Sequence, residues 1–230
     1  MIIGGLQKTS AIDFPGKVSC VMFCAGCNFH CPYCHNADLL TGNRSPYMSY
    51  EAFLDFLEKR CGFLDGVVIT GGEPSLAKDL PDLCGDIKRL GMVVKLDTNG
   101  SRPSVVSALV EKGLVDYLAM DVKTIPEKYP GWLAARDFDP ENIKTSINII
   151  KASGLDCEFR TTCVKPFVDE DILKQVARLV AGAPLYVLQK CRLENVLSPE
   201  FFRGVAGYTD QDLESFRGLA AETVERCLIR

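Results

Sequence analysis

A chain of 230 residues that is 47% hydrophobic holds enough apolar material for the core of one α/β domain. A formal net charge of −4 with no long basic run excludes a broad electrostatic footprint for duplex nucleic acid. No apolar stretch approaches the ~20 residues needed to span a bilayer. The opening Met1-Ile2-Ile3-Gly4-Gly5 lacks the charged start and apolar run of a signal peptide, so a cytoplasmic protein with no membrane or nucleic-acid partner is expected.

After an N-terminal segment (residues 1–17), Val18 to Phe23 reads as a buried strand that runs straight into a cysteine-rich loop. Tyr50 to Leu57 has the spacing of an amphipathic helix, with Ser49 as its N-cap. Gly66 to Thr70 is a second strand, and Leu80 to Leu90 its helix, closed by Gly91. Val93 to Leu96 is a third, with a helix from Pro103 to near Gly113. Tyr117 to Val122 is a fourth, followed by a helix from Pro140 to Ser153 that Gly154 stops. Glu158 to Val164 and its helix from Asp169 to Val180 come next, and then a sixth strand, Leu185 to Leu188. Arg192 to Tyr208 reads as an ordered loop, and a last helix runs from about Asp210 to Cys227. Six alternating β–α units predict a parallel sheet with helices outside, and the short apolar strands suit burial on both faces. Six units fall two short of a closed eight-fold barrel, so the expected fold is a partial (β/α)6 barrel of the TIM type. Residues 18–190 would form its core and 191–230 a C-terminal loop and helix, all within one domain.

Eleven cysteines is a high count, and in a cytosolic chain clustered cysteines bind metal or do redox chemistry. Cys20, Cys61, Cys84, Cys157, Cys163, Cys191 and Cys227 are scattered and read as small hydrophobes. Cys27, Cys31 and Cys34 are clustered, in Cys-Asn-Phe-His-Cys-Pro-Tyr-Cys. Three thiolates that close can hold three irons of a cubane iron–sulfur cluster and leave the fourth iron open to a small chelating molecule. Catalytic residues of parallel barrels gather at the C-terminal ends of strands, where this loop would lie. Phe29 and Tyr33 would shield such a cluster from water. Cys24 supplies a possible fourth thiolate, so a closed electron-transfer cluster or a zinc site competes with the open cluster. Structural zinc, however, joins two cysteine pairs across a longer stretch of ~12–20 residues. The only two histidines, His30 and His35, lie in or beside the loop and are expected to hydrogen-bond it.

Polar residues recur at the other strand ends. Gly71-Gly72-Glu73-Pro74 follows the second strand; the glycines allow close backbone approach, and the carboxylate suits an ammonium group. Asp97 and Asn99 end the third strand in Leu-Asp-Thr-Asn-Gly, and Asp121 and Lys123 the fourth in Met-Asp-Val-Lys. Asp97 and Asp121 are candidates to hold a cation or orient a ribose, and Lys123 to face a carboxylate; the competing reading makes the Asp and Asn residues caps and turn formers. Arg160 lies inside the fifth strand and needs a partner there. Gln189 and Lys190 leave the sixth.

The CxxxCxxC loop with Tyr33 before its third cysteine, followed by Gly-Gly-Glu, resembles the radical S-adenosylmethionine (SAM) enzymes. Adding the segment Gly5 to Lys17, the LDTNG and YLAMDVK strand ends and Glu-Phe-Arg-Thr-Thr, the chain is similar from Gly4 to about Leu188 to the glycyl-radical-enzyme activases. Within these it resembles the activating proteins of anaerobic ribonucleoside-triphosphate reductase. The resemblance implies a [4Fe–4S] cluster on Cys27, Cys31 and Cys34. It also implies a SAM site built from Tyr33, Gly71, Gly72, Glu73, Asp97, Asn99, Asp121, Lys123 and Arg160, with Glu73 in the motif that receives the SAM amine. Asp13, Pro15 and Gly16 would stand beside the partner's peptide. The implied reaction splits SAM reductively and installs a glycyl radical on the reductase, with flavodoxin or ferredoxin as electron donor. Cys24 and the Lys190-Cys191 pair depart from the family's pattern, which expects a non-cysteine at the first place and glutamine with an aromatic at the second. Two alternatives stand beside this one: a radical SAM enzyme acting on a small molecule or nucleotide, and a cluster-bearing electron carrier or zinc-stabilised binding module.

Overall fold

The computed structural model describes residues 1–40 and 45–230. Its strands are β1 (Ile3–Ser10), β2 (Ser19–Cys24), β3 (Gly66–Gly71), β4 (Val93–Thr98), β5 (Tyr117–Asp121), β6 (Asp156–Cys163), β7 (Tyr186–Lys190) and β8 (Cys227–Ile229). The helices are α1 (Tyr50–Glu58), α2 (Leu80–Arg89), α3 (Pro103–Glu111), α4 (Glu141–Ala152), α5 (Glu170–Leu179) and α6 (Asp210–Ala221). Strand order follows chain order from β1 to β8. The chain divides into two compact units. The first comprises Met1–Asn28, Asp38–Thr98 and Ser104–Leu118; the second comprises Phe29–Ala37, Asn99–Pro103 and Ala119–Arg230.

In the first unit β2, β3 and β4 run parallel, in the register Met22↔Ile69 and Ile69↔Leu96. Met22, Val67, Ile69, Val94 and Leu96 are all fully buried, as expected of strands covered on both faces. Phe53 and Leu57 of α1 and Leu83, Cys84 and Ile87 of α2 are also fully buried. The Ser49 side chain accepts from the Ala52 amide at 3.1 Å, which fixes the start of α1. The N-terminal segment is not merely a lead-in: β1 pairs antiparallel with β2. Its mixture of glycines and polar residues carries little strand pattern, and the pairing depends on the edge that β2 presents.

In the second unit β6, β7 and β8 run parallel, with Arg160↔Val187 and Leu188↔Ile229 in register. Asp169 caps α5 by accepting from the Ile172 amide at 2.8 Å, and Thr209 and Asp212 form a capping box at α6. The last helix ends at Ala221, not near Cys227. The apolar residues Val224 and Cys227 extend its pattern in sequence, but pairing with the edge of β7 draws Cys227–Ile229 into β8 instead. The stretch from Arg192 to Tyr208 contains a short 3-10 helix, Pro199–Phe202. Among the described residues no helix is long and apolar enough to cross a membrane.

Candidate functional site

In the first unit, β2 ends at Cys24 and β3 at Gly71, side by side in the parallel register. The Gly72 amide donates to the Cys24 carbonyl at 2.8 Å, and the Glu73 amide to the Gly26 carbonyl at 2.8 Å. The Gly-Gly-Glu turn is thereby stitched onto the three residues that lead into Cys27. The approach tolerates no side chain. A Cβ on Gly72 would lie 2.0 Å from the Gly26 oxygen, and one on Gly71, whose φ is +114°, would lie 2.4 Å from the Cys24 nitrogen. Glu73 is buried, 2% exposed, and its Oε1 accepts from the Ser75 amide at 3.0 Å and from the Thr98 hydroxyl at 2.8 Å. Asp97 is ion-paired with Lys95 at 2.8 Å, and the Lys95 ammonium sits 5.7 Å from the centre of the Tyr117 ring. Near the N-terminus, Asp13 accepts from the Ser10 hydroxyl, Pro15 and Gly16 are exposed, and Phe14 packs edge-on against Tyr117 at 5.8 Å.

The second unit carries Cys31, Tyr33 and Cys34. The Cys34 amide donates to the Cys31 carbonyl at 2.9 Å, so the two cysteines flank a tight turn. Three further backbone bonds pin the segment: His30 to Leu133 at 2.7 Å, Leu197 to Cys34 at 2.9 Å, and Ser198 to Pro32 at 3.0 Å. Tyr33 packs edge-on against Phe167 at 5.3 Å, and Phe29 against Tyr129 at 5.5 Å. His35 contacts the Arg192 carbonyl at 2.8 Å through its Nε2, consistent with a loop-bonding role. Asn99 accepts from the Ser101 amide at 2.9 Å, the turn-forming geometry of the competing reading.

Asp121 is the hub of an ion network in this unit. Arg160 meets it at 2.7 Å and Lys123 at 3.3 Å. Arg160 also lies 3.7 Å from the fully buried Glu158, which Arg230 meets at 3.1 Å. Burial opposes charge on Asp121, but Arg160 and then Lys123 outweigh it and hold the carboxyl well below the usual range. Gln189 accepts weakly from Thr162 at 3.5 Å, and Lys190 pairs with Asp210 at 2.6 Å on the exposed surface.

Cys24 is 2% exposed, and burial pushes its thiol far above the ordinary value; its Sγ contacts the Met1 sulfur at 3.5 Å. A protonated core thiol is a poor metal ligand. Among the described residues no cysteine is in a disulfide, and no three His, Cys, Asp or Glu side chains are close enough to share one metal ion. A cubane gives each thiolate its own iron, so its three cysteines need not meet at one ion. Tyr33 Oη, Ser75 Oγ and Ser101 Oγ are buried polar atoms with no protein partner. Within the first unit the orphan at Ser75, two residues after Glu73, and within the second the orphan at Tyr33, between Cys31 and Cys34, each fit a bound polar group. Sequence patterns passed over Lys95 and Thr98. The signal for Lys95 was a lone cation within an apolar strand, two residues from Asp97 and therefore on the same face.

Gly72→Ala should lower stability by about 3 kcal/mol in denaturant titration, since backbone rather than a flexible side chain must give way. Asp121 yields a pH signature of determinate sign. Its folded pKa lies below the unfolded 3.8, so its contribution is complete above that value and fades as acid titrates the folded carboxylate. Asp121→Asn should therefore cost about 2 kcal/mol at neutral pH. The gap between wild type and variant should shrink as the pH falls below 3.8, measured by denaturant titration at each pH.

The Radical SAM superfamily model matches residues 21–179. A Methanocaldococcus jannaschii protein that carries the provisional name of glycyl-radical enzyme activating enzyme is 34% identical, across 100% of this chain and 95% of its own length. A 7-carboxy-7-deazaguanine synthase of Hyperthermus butylicus is 32% identical over 51% of the chain and 49% of its own length. Among solved structures, Streptococcus suis SuiB bound to the precursor peptide SuiA superposes with a TM-score of 0.68 at 13% identity, over 91% of this chain. The chain spans about half of that protein, 48%. The likeness carries the fold class, α/β with the partial (β/α)6 arrangement expected from the sequence. Family match and full-length relative together make this chain a member of the radical SAM superfamily, an enzyme family whose cofactors are a [4Fe–4S] cluster and SAM.

Proposed function

We propose that this radical SAM enzyme is an activase that installs a glycyl radical on a partner enzyme, anaerobic ribonucleoside-triphosphate reductase. The observation that carries the reading is likeness to an archaeal relative of that provisional name along the whole chain, N-terminal segment included. Cys27, Cys31 and Cys34 are the residues to hold the cluster. A cluster held there would supply the reductive cleavage of SAM that makes hydrogen abstraction from a glycine Cα possible.

The chain's own residues bind, orient and exclude water. Gly71 and Gly72 let the backbone come close, and Glu73 receives the amine of SAM. Lys123 and Arg160, the cations that flank Asp121, suit the carboxylate of SAM. Tyr33 covers the cluster side, and Asp97 and Asn99 stand at the strand end toward the ribose. Asp13, Pro15 and Gly16 form the surface turn offered to the partner's peptide, and a flavodoxin- or ferredoxin-type protein supplies the electron in the cytoplasm. The deazaguanine synthase match favours one rival, a nucleotide-derived small substrate, although it covers only half of the chain.

Anaerobic reconstitution with iron, sulfide, reductant and SAM should yield 5′-deoxyadenosine, and a doublet EPR signal should appear on the reductase when it is added. Deoxyadenosine without any signal on the reductase would move the substrate elsewhere. Replacing Cys27, Cys31 or Cys34 by Ala should abolish iron binding, whereas Cys24→Ala should leave iron content near wild type. Equal losses for all four would remove the open-cluster assignment.

A further inference from the structure

We infer that Thr98 is a positioning residue for SAM, acting through the carboxylate of Glu73 as its fixed hydrogen-bond donor. This deepens the proposed function and rests on it, since it takes Glu73 to be the group that receives the SAM amine.

Glu73 is held from two directions. Its amide donates to the Gly26 carbonyl at 2.8 Å, which ties its backbone to the segment leaving β2. Its side chain reaches toward β4, where Thr98 Oγ1 donates to Oε1 at 2.8 Å, and Oε1 also accepts from the Ser75 amide at 3.0 Å. Two donors converging on one oxygen set the position and the plane of the carboxylate. The charge is 2% exposed, so water contributes little to holding it.

Thr98 suits this task. It is itself only 3% exposed, and a β-branched side chain has few χ1 states to lose. The β3–β4 register pairs Ile69 with Leu96, which brings Thr98 level with the end of β3, where the Gly-Gly-Glu turn begins. Strand alternation points Thr98 to the face opposite Asp97 and Lys95, so its hydroxyl serves the neighbouring turn and not their ion pair. A carboxylate whose plane is already fixed need not reorganise when an ammonium arrives.

The test uses the anaerobically reconstituted full-length protein and reads SAM affinity directly, from perturbation of the cluster EPR signal and from calorimetry. Thr98→Val, which removes the hydroxyl at nearly constant shape, should weaken SAM binding about tenfold. Thr98→Ser should restore it to within about twofold of wild type, with iron content unchanged in both. The loss should vanish for the SAM analogue lacking the α-amine, and Thr98→Val should add nothing to Glu73→Gln. If Thr98→Val does not fold, Thr98→Ala takes its place in the same comparison. Equal weakening of SAM and the amine-free analogue, an undiminished effect in the Glu73→Gln background, or wild-type affinity in Thr98→Val would overturn the inference and leave the proposed function standing. A wild-type protein that loads its cluster yet does not bind SAM would sink both together.

Discussion

The path of the cysteine-bearing segment depends on the pair of backbone hydrogen bonds that lay Gly72 and Glu73 against Cys24 and Gly26. Two strand exits meet there with no side chain between them, and a single added methyl would collide with main chain that cannot rotate away. The parallel register of β2 and β3 delivers the two segments to the same level, and the glycines let them touch. From that contact the path toward Cys27 and the orientation of Glu73 follow together. The turn and the segment leading into Cys27 are therefore one structural object, although 44 residues separate Cys27 from Gly72 in the sequence.

Both units carry ion pairs at their strand ends. In the first, Lys95 and Asp97 form a neutral pair with little exposure to water. In the second, Asp121, Arg160, Lys123, Glu158 and Arg230 form an extended chain of ion pairs. Buried charges survive only with partners, so each strand-end carboxylate that could have served a soluble cation already has one from the protein. For Asp97 and Asp121 this favours orienting neighbours over recruiting an ion.

Much of the architecture could be read in advance because its strands are short, apolar and followed by well-capped helices. Ser49 stands at the cap that the pattern indicated, and Asp169, read as the first residue of its helix, is the cap of α5. The two outer strands could not be read this way. β1 is built from Ile-Gly-Gly-Leu-Gln-Lys-Thr-Ser, which has no alternation, and β8 is three residues whose apolar pattern continues that of α6. Both owe their form to a neighbour's hydrogen-bonding edge, a property absent from local sequence. The site shows the same division. Glycines, cysteines and strand-end carboxylates announce themselves by type and spacing. Thr98 does not, because its importance lies in which carboxylate its hydroxyl reaches across two strands.

The scattered cysteines have a chemical consequence of their own. Burial pushes the thiols of Cys20, Cys84 and Cys163 up to about 12, and those of Cys157 and Cys227 up to about 11. At neutral pH these groups stay protonated and are slow toward iron, sulfide and oxidants alike. A polypeptide unusually rich in sulfur thus withholds much of it from inorganic chemistry. Iron offered to the chain would therefore meet little competition from these interior thiols.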